Sequence, residues 1–485
     1  MESRLLAKIQ QLLSYTFETQ GRYKESLEAI EYFDNDAILS ELQTETQIRV
    51  LTQLAISYNN QTDSPKAVAL LEKARKKAEE NKLNDILGSI FVAFSRVYRK
   101  LNEFPIARDY AEKSLGHFRE EGNWRGMAES YQLVASAHYQ EGKSEKALEC
   151  FQQAIKIIGS RSAPFLLGRI YSDMSGAYWF LRRSQEGIAC LEKSIKFFEQ
   201  TEHKLNSVIA YNNLGMNLML LGDWTRAETM MRRALDLAEE ANHAHVAGIL
   251  DSIGELKLLR GELDEAQEIL ERGVKVAVER KKEWYQIQAL RNLSRTFLAQ
   301  DKFAEAEEKA EETIAICKKI GEQQVMNMAR LVLAEVHLQK EKFAECENEF
   351  GTIEETNPTS DFFVLGNIQR IRGLLNLKHG DQEIAIHHFS RALTIFETAE
   401  DLYHTALTHF LIGENVYDSA LAEKHLIAAQ DIFRKLNVKP FLHKTAQKLA
   451  NLKSKSKENL EKPIKTRSLS AGSQLLTLRL AEATA

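Results

Sequence analysis

The chain has 485 residues, of which 44% are hydrophobic and 27% charged, with 23 Gly and only 6 Pro. This balance suits a water-soluble, mostly helical chain and excludes collagen-like, disordered and disulfide-scaffold classes. With 64 Lys plus Arg against 69 Asp plus Glu, no global basic field draws it onto nucleic acid or an anionic membrane.

The chain opens on MESRLLAKIQQLLSYTF, where Arg4, Lys8, Gln10 and Gln11 interrupt the apolar residues, so the unbroken apolar core of a signal peptide is missing. No later run approaches the ~18 apolar residues of a membrane span. Cysteines at 150, 190, 317 and 346 are too few for a disulfide framework and fit a reducing compartment. A cytoplasmic location is expected, without membrane attachment.

A self-similar spacing then runs through the chain. Segments such as EGKSEKALECFQQAI, LGDWTRAETMMRRAL and RGELDEAQEILERGV each place a small residue five positions after a turn residue. In chain order these anchors are Ser26, Ala67, Ala107, Ala147, Gly187, Ala227, Ala266, Ala306, Cys346, Ala385 and Ala422, spaced 37 to 41 residues apart. Twelve residues upstream stand Ser14, Ala55, Ser95, Ala135, Ser175, Gly215, Gly254, Ser294, Ala334, Gly373 and Phe410, small in every case but the last. Two columns of small residues in step predict two helices per unit, with backbones in close approach.

Taken in order, unit one departs from the pattern by carrying Phe33 where a second small residue is expected. Ser160 to Pro164 closes unit four. In unit six the predicted first helix runs from about Ser207 to Leu221, Gly222-Asp223 breaks it, and Trp224, Ala227, Met231, Ala234 and Leu235 open the second at helical spacing. Asn357 to Asp361 is a turn cluster in which Pro358 ends the second helix of unit nine. Unit eleven has Phe410 in the small column and a compressed spacing, as terminal repeats often do. The expected division is a repeat array over 1–436 and a capping helix over 437–450. A basic flexible linker over 451–474 and the start of a linker helix or free tail over 475–485 follow.

These columns resemble the tetratricopeptide repeat (TPR) family. The signature stands as Tyr131, Val134, Ala135, Gly142, Ala147, Phe151 and Ala154 in unit four, and as Tyr211, Leu214, Gly215, Gly222, Asp223, Ala227 and Ala234 in unit six. The period is about 40 residues against 34 in the commonest form. This longer unit is similar to those of spindle-orientation adaptors, kinesin light chains and bacterial sensory regulators. The resemblance implies an all-α, right-handed superhelical solenoid of about eleven antiparallel hairpins.

Stacked hairpins turn their first helices toward a concave face, where repeat proteins bind partners. Offsets from the anchors place Gln132, Asn212, Asn213, Arg291 and Asn292 there, with Arg96, Arg99, Arg295, Tyr139 and Trp179 further along. Asparagine, arginine and aromatic side chains suit an extended peptide. The resemblance implies that Asn213 and Asn292 clamp a peptide main chain and that the arginines take its carboxylates, which favours an acidic partner.

Catalytic signatures are lacking. Gly142-Lys143-Ser144 has the end of a phosphate loop, yet Ala137 stands where its first glycine belongs. His379, His387, His388, His404 and His409 have no pair at the i, i+3 or i+4 spacing of metal ligands on one helix. No cofactor, metal or catalytic residue is expected, and the array itself is not expected to bind nucleic acid. The leading reading is a non-enzymatic scaffold that binds a protein or peptide. A second makes the chain the N-terminal sensory or regulatory segment of a longer bacterial signalling or transcription-regulating protein, with an output domain in cis beyond Ala485. A third, from the enzyme class, is a helical-repeat phosphatase acting on response regulators.

Overall fold

The computed structural model describes residues 2–61, 63–201, 203–243, 245–356 and 361–461. Among them every regular element is helical. Ten hairpins pair Thr44–Asn60 with Ser64–Glu80, Asn84–Lys100 with Phe104–Glu120, Trp124–Gln140 with Ser144–Ile158, Pro164–Phe180 with Ser184–Gln200, Lys204–Leu220 with Trp224–Glu240, Val246–Arg260 with Leu263–Glu279, Glu283–Ala299 with Phe303–Ile320, Gln323–Gln339 with Phe343–Thr356, Phe362–His379 with Gln382–Thr398, and Leu402–Asn415 with Ser419–Leu436. Ahead of them, Glu2–Thr19 leads into a broken second helix, and the expected eleven units are all present.

The turns explain the regular spacing. At Gly222 the backbone is left-handed, with φ 84°. There the Gly222 N–H donates to the Met219 carbonyl and the Asp223 N–H to the Leu218 carbonyl, closing the helix in a Schellman arrangement. Gly142 and Gly380 end their helices the same way. Gly142-Lys143-Ser144 is therefore a hairpin turn and makes no phosphate loop.

Both small columns lie where the helices of a hairpin touch. A Cβ on Gly215 would stand 2.5 Å from Met231 Cγ and 3.1 Å from the Ala227 carbonyl oxygen. In unit one the columns hold hydroxyls that bond each other: Ser14 Oγ is 3.0 Å from Ser26 Oγ, which is 3.1 Å from Ser57 Oγ in the next unit.

Three expectations are corrected. In unit one, Phe33 is too large for the close helix contact, and the second helix divides into Tyr23–Glu28, a 3-10 turn at Glu31–Phe33 and Asp36–Ser40, with the ring buried. In unit eleven the small column is filled after all, by Gly413. It stands eleven residues after Leu402, as Gly373 does after Phe362, and the missing three residues fall in the shorter helix end that follows. Phe410 packs instead on Phe441 of the terminal helix, ring centroids 5.7 Å apart. That helix spans Lys439–Glu461, overrunning the expected linker boundary. The rest of the proposed linker, the 475–485 segment and residues 357–360 lie outside the described residues.

The array curls until units five apart meet. A Cβ on Gly21, in the turn of unit one, would stand 2.8 Å from Leu205 Cδ1 of unit six. One on Gly222 of unit six would stand 2.9 Å from Leu436 Cδ2 and 3.1 Å from Leu402 Cδ1 of unit eleven, and one on Gly261 would stand 2.7 Å from Pro440 Cγ. A single apolar core therefore joins residues of units five to seven to unit eleven and the terminal helix. The solenoid makes about two turns, each enclosing a concave space.

Candidate functional site

The first superhelical turn encloses a cavity of about 480 Å³. First helices of units two, three, five and six supply Ile56, Asn59, Val97, Arg99, Lys100, Phe165, Arg169, Asp173, Asn206 and Ile209, and unit one adds Glu18 and Tyr23. Phe165, Asn206 and Tyr23 were not picked out from the sequence, because they reach the cavity through the curl of the array and share no offset with the rest.

Arginines here fall into two groups. Arg96 is held between Glu18, 3.1 Å away, and Glu129 of the next hairpin. Arg169 stands 3.6 Å from that same Glu129 and donates to Gln132 Oε1 at 2.9 Å. Burial raises the Glu129 carboxyl, but the two guanidinium groups outweigh it and hold it below its ordinary range. Gln132 is fully buried, donating to Ser136 Oγ at 3.1 Å and to Asp173. These side chains brace neighbouring first helices.

Arg99 and Lys100 differ. Arg99 comes no nearer than 4.0 Å to Asp173. Lys100 donates to the Asn59 carbonyl and pairs with no carboxylate among the described residues; burial, with the Lys282 charge nearby, pulls its ammonium below the ordinary range. Beside them, the Tyr139 ring lies tilted against Phe180 with centroids 6.2 Å apart, and burial followed by the Asp173 charge pushes its phenol up to about 12.

A second cavity, of about 300 Å³, lies in the second turn between Arg291, Arg295, Met328, Phe363, Arg370 and Tyr403. Here too the polar side chains engage one another. Asn292 is fully buried, donating to Asp251 Oδ1 at 2.8 Å and accepting from Arg295 at 2.9 Å. It lies inside the wall and not on the concave surface, a correction for a residue expected to clamp a ligand. Arg295 pairs with Glu255 at 2.9 Å, Arg291 approaches that carboxylate at 3.7 Å, and Arg370 pairs with Glu335. Burial lifts Asp251 to about 6 despite Arg291.

The remaining candidates are dispersed. Asn212 donates weakly to Met216 Sδ at 3.8 Å, while its Oδ1 is buried without a partner. Asn213 is half-buried beside it. Trp179 lines neither concave cavity; it borders a third space of about 330 Å³ at the seam between units five and six and units ten and eleven. Cys150, Cys190, Cys317 and Cys346 are free thiols, three of them buried. Among the described residues no group of three metal-ligating side chains converges, and no helix is long and apolar enough to cross a membrane.

Comparison with known proteins follows the same architecture. The family model of the MalT-like TPR region matches residues 183–437, and a tetratricopeptide repeat model matches 88–158. Response regulator aspartate phosphatase E of Bacillus subtilis (strain 168) is 27% identical over 118 residues, which are 24% of this chain and 31% of that protein. The match thus spans less than a third of that relative's length. Among solved structures, a STAND protein with a tetratricopeptide repeat sensor from Pyrococcus horikoshii aligns with a TM-score of 0.52 at 12% identity, covering 70% of this chain and 53% of that one. The apo quorum sensor NprR from B. thuringiensis aligns with a TM-score of 0.50 at 16% identity, covering 64% and 87%. At these identities the likeness is one of fold.

Proposed function

The chain belongs to the MalT-like TPR region family, and from that premise we propose that it is a non-enzymatic scaffold holding an acidic peptide or protein segment in its first superhelical turn. The observation that carries this reading is the contrast among the basic side chains. Arg96, Arg169, Arg291, Arg295 and Arg370 face carboxylates of the chain itself, whereas Arg99 comes no nearer than 4.0 Å to Asp173 and Lys100 donates to the Asn59 carbonyl and pairs with no carboxylate among the described residues. A ligand carboxylate there gains charge-assisted hydrogen bonds at a site already walled by Phe165, Ile209 and Val97. Asn59 and Asn206 line the same cavity, where a peptide main chain would meet them.

Each charged hydrogen bond contributes about 1.5–3 kcal/mol. Replacing Arg99 and Lys100 together by alanine is expected to weaken partner capture at least tenfold, with helical circular dichroism unchanged. Capture that persists at full strength sinks the assignment, as does loss that follows Arg291→Ala and not the Arg99 and Lys100 pair.

The similarity to a response regulator aspartate phosphatase favours a second reading, in which the partner is a receiver domain. Mixing the chain with a phosphorylated receiver separates binding from catalysis. Complex formation without faster phosphate loss is the expected outcome for a scaffold.

A further inference from the structure

The helix Glu2–Thr19 carries the largest run of exposed apolar side chains in the described residues. Leu5, Leu6, Ile9, Leu12 and Leu13 are 43–65% exposed. At about 100° per residue they cover an arc of about 120° centred on Ile9, the width of a face that normally meets a core. The opposite side of the helix holds Ala7 and Ser14, both fully buried against its own unit. Counting from the small column, the same five positions in unit three are Ile86, Leu87, Ile90, Ala93 and Phe94, none more than 6% exposed. Glu2–Thr19 therefore leaves exposed a face that the repeat is built to cover.

Its pattern says what covers it. The five residues are symmetric about Ile9: Leu5 mirrors Leu13 and Leu6 mirrors Leu12. Two such helices laid antiparallel with Ile9 on the dyad put leucine across from leucine along the whole face, the self-complementarity an isologous contact requires. Lys8, the single charged residue between Leu5 and Leu13, then stands across from Gln10, so no like charges are opposed. Low charge at the centre of a contact is itself typical of interfaces.

We propose that Glu2–Thr19 is a homodimerisation surface, on which a second copy of the chain seats its own N-terminal helix antiparallel about Ile9. One helix pair is smaller than the ~1,200–2,000 Å² of stable interfaces, so association in the micromolar range is expected.

Sedimentation velocity of the full chain over about 1–100 µM tests this. The wild type is expected to move from its 55.3 kDa monomer toward twice that mass, and Ile9→Glu to weaken association at least tenfold with unchanged circular dichroism. Cysteine cross-linking fixes the register independently of stability. Ile9→Cys is expected to link to its own copy, whereas Leu5→Cys, about 12 Å along the axis from its own counterpart, links only when mixed with Leu13→Cys. A wild type monomeric at about 100 µM, a dimer that survives Ile9→Glu, or Leu5→Cys linking to itself as readily as Ile9→Cys overturns the proposal. So does a monomer that dimerises only after removal of residues 462–485, which would assign the face to that segment.

Discussion

A charged or polar side chain on a repeat helix takes its role from what stands across the gap to the next unit. Arg295 meets Glu255 forty residues earlier, and Asn292 meets Asp251 at nearly the same separation. The residue types on the inner helices were legible in the sequence; their partners were not, because pairing depends on the axial offset between neighbouring helices. His203 shows the same dependence. It is buried, its Nδ1 accepts the Asn206 N–H at 3.2 Å as a helix cap, and its ring stacks on Phe165 at 5.0 Å. Burial, with Arg169 nearby, pushes it down to about 4, against an ordinary 6.5. A lowered folded-state value means the full contribution is present above pH 6.5 and is lost as pH falls toward 4. That contribution is about 3 kcal/mol. Thermal melts between pH 7 and 4.5 should therefore show a steeper fall for the wild type than for His203→Asn, which keeps a capping acceptor but cannot gain the proton. Parallel pH profiles would refute this account.

At the scale of the element, the spacing of small residues predicted every hairpin, since only small side chains let two helices meet at the backbone. It misread unit eleven, where three residues are lost between the two columns and Gly413 takes the place sought at Phe410. A Cβ on Gly413 would lie 2.7 Å from Leu426 Cγ and 3.0 Å from the Ala422 carbonyl oxygen, which cannot swing aside as a side chain could. Gly413→Ala should lower stability by about 1–3 kcal/mol through overpacking. Gly116, also within a helix, has open space around it. There Gly116→Ala should raise stability by about 0.5–1 kcal/mol, because only backbone entropy changes. Equal effects from the two substitutions in denaturant titrations would show that the columns do not set helix packing.

Across the whole molecule, closure between units five apart turns a one-dimensional array into a body with an inside. Repeat proteins are stabilised mainly by nearest neighbours, yet here Trp224 meets Tyr403 at 6.2 Å and Leu402 packs into the core of unit six. Leu402→Asp with Tyr403→Ser should break that seam while leaving each hairpin to its own neighbours. An increased radius of gyration in small-angle scattering, at unchanged helicity, is the expected result. An unchanged radius would show that nearest-neighbour geometry alone holds the curl.

The amino-acid sequence by itself determined the all-α architecture, the eleven hairpins and their turns, because each depends on residues within one unit: small side chains where helices touch, and a left-handed residue where a helix closes. Only the tertiary structure decided which arginines are already paired, that Asn292 and Gln132 are inside the wall, and that Trp179 faces a seam. The rotation from one unit to the next has no residue of its own. It becomes decisive after five units have added it up, when chain segments more than 180 residues apart, such as Gly21 and Leu205, come into contact.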